Sequence, residues 1–239
     1  MSIRQLPRLQ SALDGARGLR QLASRGLYSV RSRGLSTEQV FSRIFTSNQW
    51  GSEASRSGQG SDDVQTAVVA AILPEVLREL GARSLLDLPC GDFHWMKRVD
   101  LGDIEYIGGD IVPAIVEANR RDYASPLRRF ERLDLVSDGL PQADALLVRD
   151  CLVHLSNDLV HRALGNIRRS GAKWLLTTTF VDRTRNADIP TGSWRPLNLE
   201  LAPFRLPKPR LLILEQCSEG NGSFADKALA VWPVDAIPA

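Results

Sequence analysis

From residue 84 to residue 232, short apolar segments alternate with longer segments in which apolar residues recur every three or four positions. The short segments predict strands, and the uninterrupted run 145–148 is typical of a strand buried on both faces of a parallel sheet. The predicted strands are 84–86, 106–109, 129–133, 145–148, 174–179, 210–215 and 227–232. The last two form a hairpin-like pair. Strands that alternate with helices predict an α/β fold with a largely parallel sheet.

One long helix is predicted ahead of the first strand, over residues 61–80. Ser61 is its expected N-cap, Pro74 is expected to kink or restart it, and Gly81 ends it. The apolar residues spaced at three and four positions should form its inward face. They are Val64, Ala67, Val68, Ala71, Ile72, Val76, Leu77 and Leu80.

Three further helices are predicted around the sheet. A proline at the first position opens a helix over 113–123, and Ser156 is a suitable N-cap for a helix over 159–169. Residues 40–50 predict a short amphipathic helix that docks on the core. The segment 51–61, rich in Gly and Ser, follows it. Taken alone this segment is typical of a flexible linker, but its glycines and the preceding tryptophan also suit a lid over a ligand.

Aspartates follow three of the predicted strands. Asp87 closes the first strand, Asp110 follows the second and Asp134 follows the third. Asp110 lies nineteen residues after Gly91, the spacing at which α/β nucleotide folds place an acid on ribose hydroxyls. An isolated aspartate is often a helix cap or a turn residue. Three in register at successive strand ends indicate one shared ligand site.

These motifs resemble those of class I S-adenosylmethionine (SAM) dependent methyltransferases. In that family the first strand ends in Asp-x-Gly-x-Gly, the second in an acid that holds the ribose, and the third in an acid near the adenine amino group. The resemblance covers roughly residues 60–235. It implies a three-layer αβα Rossmann-like sheet of seven strands, parallel with a C-terminal antiparallel strand and preceded by an N-terminal extension. It also implies SAM as the cofactor and methyl transfer as the reaction.

The resemblance assigns Asp87 to the methionine end of SAM, Asp110 to the ribose diol and Asp134 to the adenine edge. The expected cofactor-binding residues are Asp87, Pro89, Cys90, Gly91, Asp110, Ile111, Asp134, Leu135 and Arg149. The first turn departs from the family pattern, since only its middle glycine survives. A pyrophosphate needs several bare backbone positions for close approach, whereas SAM carries no phosphate. The departure therefore argues against a dinucleotide more than against SAM.

Residues 149–155 follow strand four, which the resemblance places beside the donor methyl group. His154 is the candidate general base, because an unperturbed pKa of about 6.5 suits proton removal at neutral pH. A packing role or a place in the cofactor shell is the alternative for this histidine. Asp150 is the alternative base or a carboxylate that orients the substrate. His94 and Trp95 are candidates for the mouth of the same site.

Two nucleic-acid subclasses fit poorly. Methylation of base amines uses Asn or Asp followed by Pro-Pro and an aromatic residue after strand four, and residues 149–152 do not match. Methylation of cytosine C5 uses a thiol with an adjacent proline, which Cys151 lacks. O-methylation of a polar small molecule, a sugar or glycan, or a peptide group is favoured. The alternatives are an RNA or protein methyltransferase that uses the basic N-terminus, and a non-catalytic SAM-binding scaffold.

The segment 181–209 is the longest irregular stretch within the predicted fold, and long loops in compact domains are usually functional. Its basic residues and the one just after it are Arg183, Arg185, Arg195, Arg205, Lys208 and Arg210. An excess of guanidinium groups near a cleft would suit a substrate that carries carboxylate or phosphate. A solvated loop is the alternative.

Composition sets the domain organisation. A chain of 239 residues with 43% hydrophobic content can bury one substantial core. Residues 1–36 are predicted to be a basic extension, solvated or partly ordered. They hold seven arginines and one aspartate. An anionic partner or a targeting role is the alternative for this extension. Residues 37–61 form the N-terminal helix and lid, and residues 62–239 the methyltransferase domain.

Composition also bears on location and metals. The sequence has no apolar run of the roughly 20 residues that cross a bilayer and no signal-peptide core, so a cytoplasmic protein is expected. Three cysteines without a C-x-x-C pair, and three histidines, suggest neither a disulfide framework nor a metal site. The expected partner is a small-molecule or glycan acceptor, and the oligomeric state is left open.

Overall fold

The computed structural model describes residues 34–238. Residues 1–33 of the predicted basic extension (residues 1–36) lie outside this range. From Ser36 onward the chain forms one compact unit.

Seven strands form a single sheet in the order β3-β2-β1-β4-β5-β7-β6. They are β1 Ser84–Asp87, β2 Glu105–Asp110, β3 Arg128–Arg132, β4 Ala145–Val148, β5 Trp174–Phe180, β6 Leu211–Leu214 and β7 Lys227–Pro233. The first five are parallel, whereas β7 runs antiparallel to both β5 and β6. The predicted seven-strand, mostly parallel sheet is confirmed.

Helices cover both faces of this sheet. They are α1 Thr37–Thr46, α2 Asp63–Glu79, α3 Pro113–Tyr123 and α4 Asn157–Arg169. Successive strand residues contribute to opposite faces, as the two-residue period of a strand requires. Leu85 packs in the hydrophobic cluster that contains α2, and Leu86 packs in the cluster that contains α4. The result is the predicted three-layer αβα arrangement.

The predicted inward face of α2 was largely wrong. The residues that α2 buries are Thr66, Val69, Leu73, Val76 and Leu77, while Val64 is 73% exposed. A short 3-10 turn occupies Gln59–Ser61, so the N-cap is Asp62 rather than Ser61. Apolar residues surround most of this helix, and periodicity alone therefore left its rotation undefined. The helix continues through Pro74, and the predicted end at Gly81 is confirmed by a left-handed φ of 66°.

The other helices lie close to their predicted positions. The helix at 113–123 is confirmed, and Ser156 caps α4 by accepting a hydrogen bond from the Leu159 amide. The N-terminal helix begins and ends earlier than the predicted 40–50. Ser36 and Gln39 form a reciprocal capping box at its start, and Trp50 lies beyond its end.

We expect Gly108→Ala to destabilise the protein by about 1–3 kcal/mol, the usual cost of overpacking a core. A Cβ at this position in β2 would lie 2.5 Å from a ring carbon of Phe130 and 3.0 Å from the Tyr106 ring. Urea unfolding followed by circular dichroism measures the change.

Gly139→Ala is the matched control, because a Cβ there meets nothing within 4 Å. Its effect should remain within about 0.5 kcal/mol. Equal stability of the two variants would show that the packing around β2 is looser than described.

Candidate active site

A cavity opens where the carboxyl ends of β1, β2 and β4 meet. It encloses about 1000 Å³ of space including its open mouth. All eleven residues to which the sequence assigns cofactor binding or catalysis line it. They are Asp87, Pro89, Cys90, Gly91, Asp110, Ile111, Asp134, Leu135, Arg149, Asp150 and His154.

Two aspartates at the floor of the cavity are almost fully buried. One Asp87 oxygen accepts a hydrogen bond of 2.7 Å from the Tyr106 hydroxyl. The Asp110 oxygens accept from the backbone amides of Gly91 and Val112, at 3.1 and 2.9 Å. Burial raises the pKa of Asp87 to about 7 and that of Asp110 to about 6, although these hydrogen bonds act in the opposite direction. Buried carboxyls of this kind favour a cationic or hydrogen-bonding ligand.

The turn after β1 requires glycine at position 91. Gly91 has a left-handed φ of 55°, and an added Cβ would lie 2.3 Å from the Ser57 hydroxyl oxygen. Its carbonyl accepts a hydrogen bond of 2.7 Å from the Asn119 side chain on α3. The bare backbone at this position is therefore what allows the chain above to approach the turn.

Asp134 lies at the edge of the cavity with its carboxylate already engaged. One oxygen accepts from the Val136 amide and the other from the Ser137 hydroxyl, both at 2.8 Å. These bonds are those of a turn residue, the alternative considered for an isolated aspartate. Asp134 thus shapes the loop after β3 and still borders the cavity with Leu135.

The segment 50–61, termed the lid, folds over the turn after β1 that contains Gly91. Asp92 holds it in place: its carboxylate accepts hydrogen bonds from the hydroxyls of Ser55 and Ser57 and from the Arg56 amide. The Asp92 amide in turn donates to the Ser57 hydroxyl at 2.9 Å. The glycine- and serine-rich sequence is therefore an ordered cover and not a free linker.

An aromatic stack closes the cavity on the side of β4. The Trp50 ring lies 4.7 Å from the His154 ring, centroid to centroid, and nearly parallel to it. The His154 Nδ1 atom is 2.9 Å from the Ser193 carbonyl oxygen, which can only accept, so Nδ1 carries the proton and Nε2 the lone pair. Burial lowers the His154 pKa to about 4, which outweighs the hydrogen bond to Ser193. The imidazole is neutral at pH 7, and it is a weaker base than a histidine with the unperturbed pKa that the sequence suggested.

Asp150 belongs to a buried cluster of four charges. Its Oδ2 atom lies 2.6 Å from the Lys227 amine and 3.2 Å from the Arg149 guanidinium. Arg149 also pairs with Glu215 at 2.6 Å and donates to the Gly60 carbonyl at the end of the lid. Burial alone would raise the pKa of Asp150, but Lys227 and Arg149 lower it to about 2. So acidic a carboxyl does not fit the predicted role of a general base, whereas a role in orienting the substrate remains compatible.

Of the residues proposed near the mouth of the cavity, Trp95 lines the cavity and His94 does not. Trp95 is buried and lines the cavity, as does Cys151. Burial raises the Cys151 pKa, so this thiol is not a thiolate nucleophile. His94 is absent from the described lining. Its Nε2 atom lies 2.7 Å from an Asp63 oxygen at the start of α2.

None of the basic residues named for the 181–209 loop is among the described residues that line the cavity. Four of them are exposed, as expected for a solvated loop, namely Arg185, Arg205, Lys208 and Arg210. Arg183 pairs with Asp226, and Lys208 pairs with Glu200. Arg195 is 1% exposed and donates to the Leu152 and Ala187 carbonyls. Arg195 thereby supplies a donor to a backbone carbonyl inside this long loop, that of Ala187. The loop serves the site through its main chain instead, by the Ser193 carbonyl that holds His154.

Besides Arg56 of the lid, three charged residues around the cavity were missed from the sequence. They are Asp92, Glu215 and Lys227. Glu215 and Lys227 flank apolar strand segments, and a charge at such a position usually faces solvent. The one available signal was that Lys227 and Glu215 lie on paired strands and carry opposite charges.

Known structures share this fold, although no protein-family model and no curated protein matches the chain. Human N-acetylserotonin methyltransferase, solved with SAM, aligns over 92% of this chain and 68% of its own, with 15% identity and a TM-score of 0.57. Magnesium protoporphyrin IX methyltransferase from Synechocystis PCC 6803, also with SAM, aligns over 65% of this chain and 82% of its own, with 13% identity and a TM-score of 0.50.

The chain has the fold of the class I SAM-dependent methyltransferases. The strand order with its antiparallel β7 and the structures that match it establish this together. Across residues 34–238, none of the helices combines the length and apolarity needed to span a bilayer.

We expect Asp92→Ala to loosen the lid, because it removes the acceptor shared by Ser55, Arg56 and Ser57. Trypsin should then cleave after Arg56 at least several times faster, since cleavage follows the population of the open segment. Mass spectrometry detects the fragment that begins at Ser57.

Asp103→Ala is the control, as Asp103 is exposed and remote from the lid. Unchanged cleavage after Arg56 in the Asp92 variant would mean that its carboxylate does not hold the lid.

Proposed function

We propose that this protein is a SAM-dependent methyltransferase whose cofactor occupies the cavity between the lid and the ends of β1, β2 and β4. The observation that carries the proposal is the pair of buried carboxyls, Asp87 and Asp110, beside a glycine turn in one covered cavity. The match in fold to two enzymes solved with SAM supports it.

The residues present fit the chemistry of this cofactor. SAM carries a sulfonium and an ammonium, and the floor of the cavity offers carboxyls without a cationic partner among the described residues. Asp110 would accept from the ribose hydroxyls and Asp87 from the ammonium. Ile111 and Leu135 supply an apolar border for the adenine. Pro89, Cys90 and Gly91 shape the turn under the methionine moiety, and Arg149 fixes the lid above it.

The acceptor is proposed to be a small molecule, a sugar or a peptide group that bears a hydroxyl. The lid covers the cavity with Trp50, which stacks on His154. A ligand must enter beneath this cover, and a duplex nucleic acid is too wide to do so. The cover also excludes water from the reacting groups.

Bound SAM would supply an electrophilic methyl carbon, and the side chains of the site would align the acceptor with it. His154 would accept the hydroxyl proton on Nε2, because Nδ1 is held by the Ser193 carbonyl. Its low pKa keeps Nε2 unprotonated at neutral pH. The ionised Asp150 nearby would stabilise the imidazolium that forms.

Asp110→Ala should weaken SAM binding by about 1.5–3 kcal/mol, the cost of losing hydrogen bonds to a charged group. The wild-type affinity should also fall as the pH is lowered from 8 to 5, because Asp87 and Asp110 have raised pKa values near 7 and 6 and must lose their protons to bind. Calorimetric titration at several pH values measures both effects.

The Asp110 variant should show a shallower pH dependence than the wild type. The same affinity and the same pH dependence in both proteins would exclude Asp110 from the site.

His154→Ala should leave SAM affinity within a few-fold of wild type and slow turnover by about 10²–10⁴-fold, the usual contribution of a general base. Release of S-adenosylhomocysteine with an acceptor found by screening measures turnover. If turnover is intact, His154 is a packing residue and the acceptor needs no base.

A further inference from the structure

Positive charge is scarce around the cavity. Among the described residues that line it, the two with permanent positive charge are Arg56 and Arg149. The two terminal nitrogens of Arg149 are committed to Glu215, Asp150 and the Gly60 carbonyl, and its Nε, which has no partner among the described residues, is buried within this cluster. Arg56 has no carboxylate partner within residues 34–238. Its guanidinium is therefore the one available to an anionic group of a ligand.

The lid holds Arg56 directly above the first turn. Its backbone amide donates to Asp92 at 2.9 Å, and the next residue, Ser57, contacts Gly91. The guanidinium carbon lies 5.7 Å from the centroid of the Phe45 ring, a cation–π distance. Phe45 also lines the cavity. The backbone of Arg56 is thus fixed by Asp92, and its side chain rests on an aromatic wall of the cavity.

We propose that Arg56 binds the carboxylate of the methionine moiety of SAM, an assignment that rests on the proposed function. The methionine moiety is a zwitterion, and its ammonium is assigned to Asp87 at the end of β1. Its carboxylate then needs a cation near the turn at Gly91. The planar guanidinium can give two parallel hydrogen bonds to a carboxylate.

This assignment makes the lid part of the cofactor site. A ligand with the carboxylate contacts the lid through Arg56 and the strand ends through Asp87 and Asp110. A ligand without the carboxylate lacks the contact with Arg56. The difference in affinity between the two ligands, compared between wild type and an Arg56 variant, therefore isolates the contribution of Arg56.

The test compares SAM with decarboxylated SAM, which lacks the carboxylate and keeps both the ammonium and the sulfonium. Calorimetry gives their affinities for wild type, Arg56→Gln and Arg56→Lys. Arg56→Gln should weaken SAM by roughly tenfold, as for the loss of one charge-assisted interaction, and decarboxylated SAM by less than twofold. Arg56→Lys should recover part of the SAM affinity. Arg78→Gln is the matched control, an exposed arginine on α2 outside the cavity lining, and should change neither affinity.

Equal weakening of both ligands by Arg56→Gln, or no weakening of either, would overturn the assignment of the carboxylate and leave the proposed function intact. Failure of the wild-type protein to bind either ligand would contradict the proposed function, and this assignment with it.

Discussion

The position of β1 between β2 and β4 determines where a ligand can bind. All three strands are parallel, and Asp87 at the end of β1 lies in register with Gly108 on one side and Leu147 on the other. The chain leaves β1 towards β2 and β3 in one direction and returns to β4 and β5 in the other. The connections thus diverge above the end of β1, which opens a crevice at the switch point of the sheet. The lid covers this crevice, and Asp87 and Asp110 reach it directly from the ends of β1 and β2.

Two kinds of carboxyl line the crevice, and their surroundings separate their roles. Asp87 and Asp110 are buried and form no ion pair with a cation among the described residues, so desolvation raises their pKa values. Asp150 is only partly buried, and because two cations lie within 3.2 Å its pKa falls. The first kind can gain from a cationic ligand. The carboxylate of Asp150 already has two cationic partners, and one of them, Arg149, holds the lid by donating to the Gly60 carbonyl.

The fold could be predicted from the sequence because most of its strands are short apolar runs with clear limits. The exception is β3, in which three of the five residues are arginine. The helix limits were also close where a specific cap marks them, as at Ser156. The rotation of α2 was not predictable, since apolar residues surround most of it and only packing selects the buried side. The roles of Asp87 and Asp110 at strand ends could be predicted because a parallel sheet brings the carboxyl ends of its strands to one edge.

Contacts in the site between residues far apart in the sequence could not be predicted in the same way. The bond between Asp92 and the lid joins residues more than thirty positions apart, and the pair of Arg149 with Glu215 joins residues 66 apart. Neither has a local pattern. The arginines of the 181–209 loop divide in a way that their number did not predict: Arg183 and Arg195 bind a carboxylate and carbonyls inside the fold, whereas Arg185 and Arg205 are exposed.

A crystal structure of the protein with S-adenosylhomocysteine tests the central claim most directly. The ribose hydroxyls are expected within hydrogen-bond distance of the Asp110 carboxylate, with the amino acid end above Gly91 and beneath the lid. Binding at any other place, or a crevice that stays without the ligand at saturating concentration, would contradict the assignment of this cavity as the cofactor site.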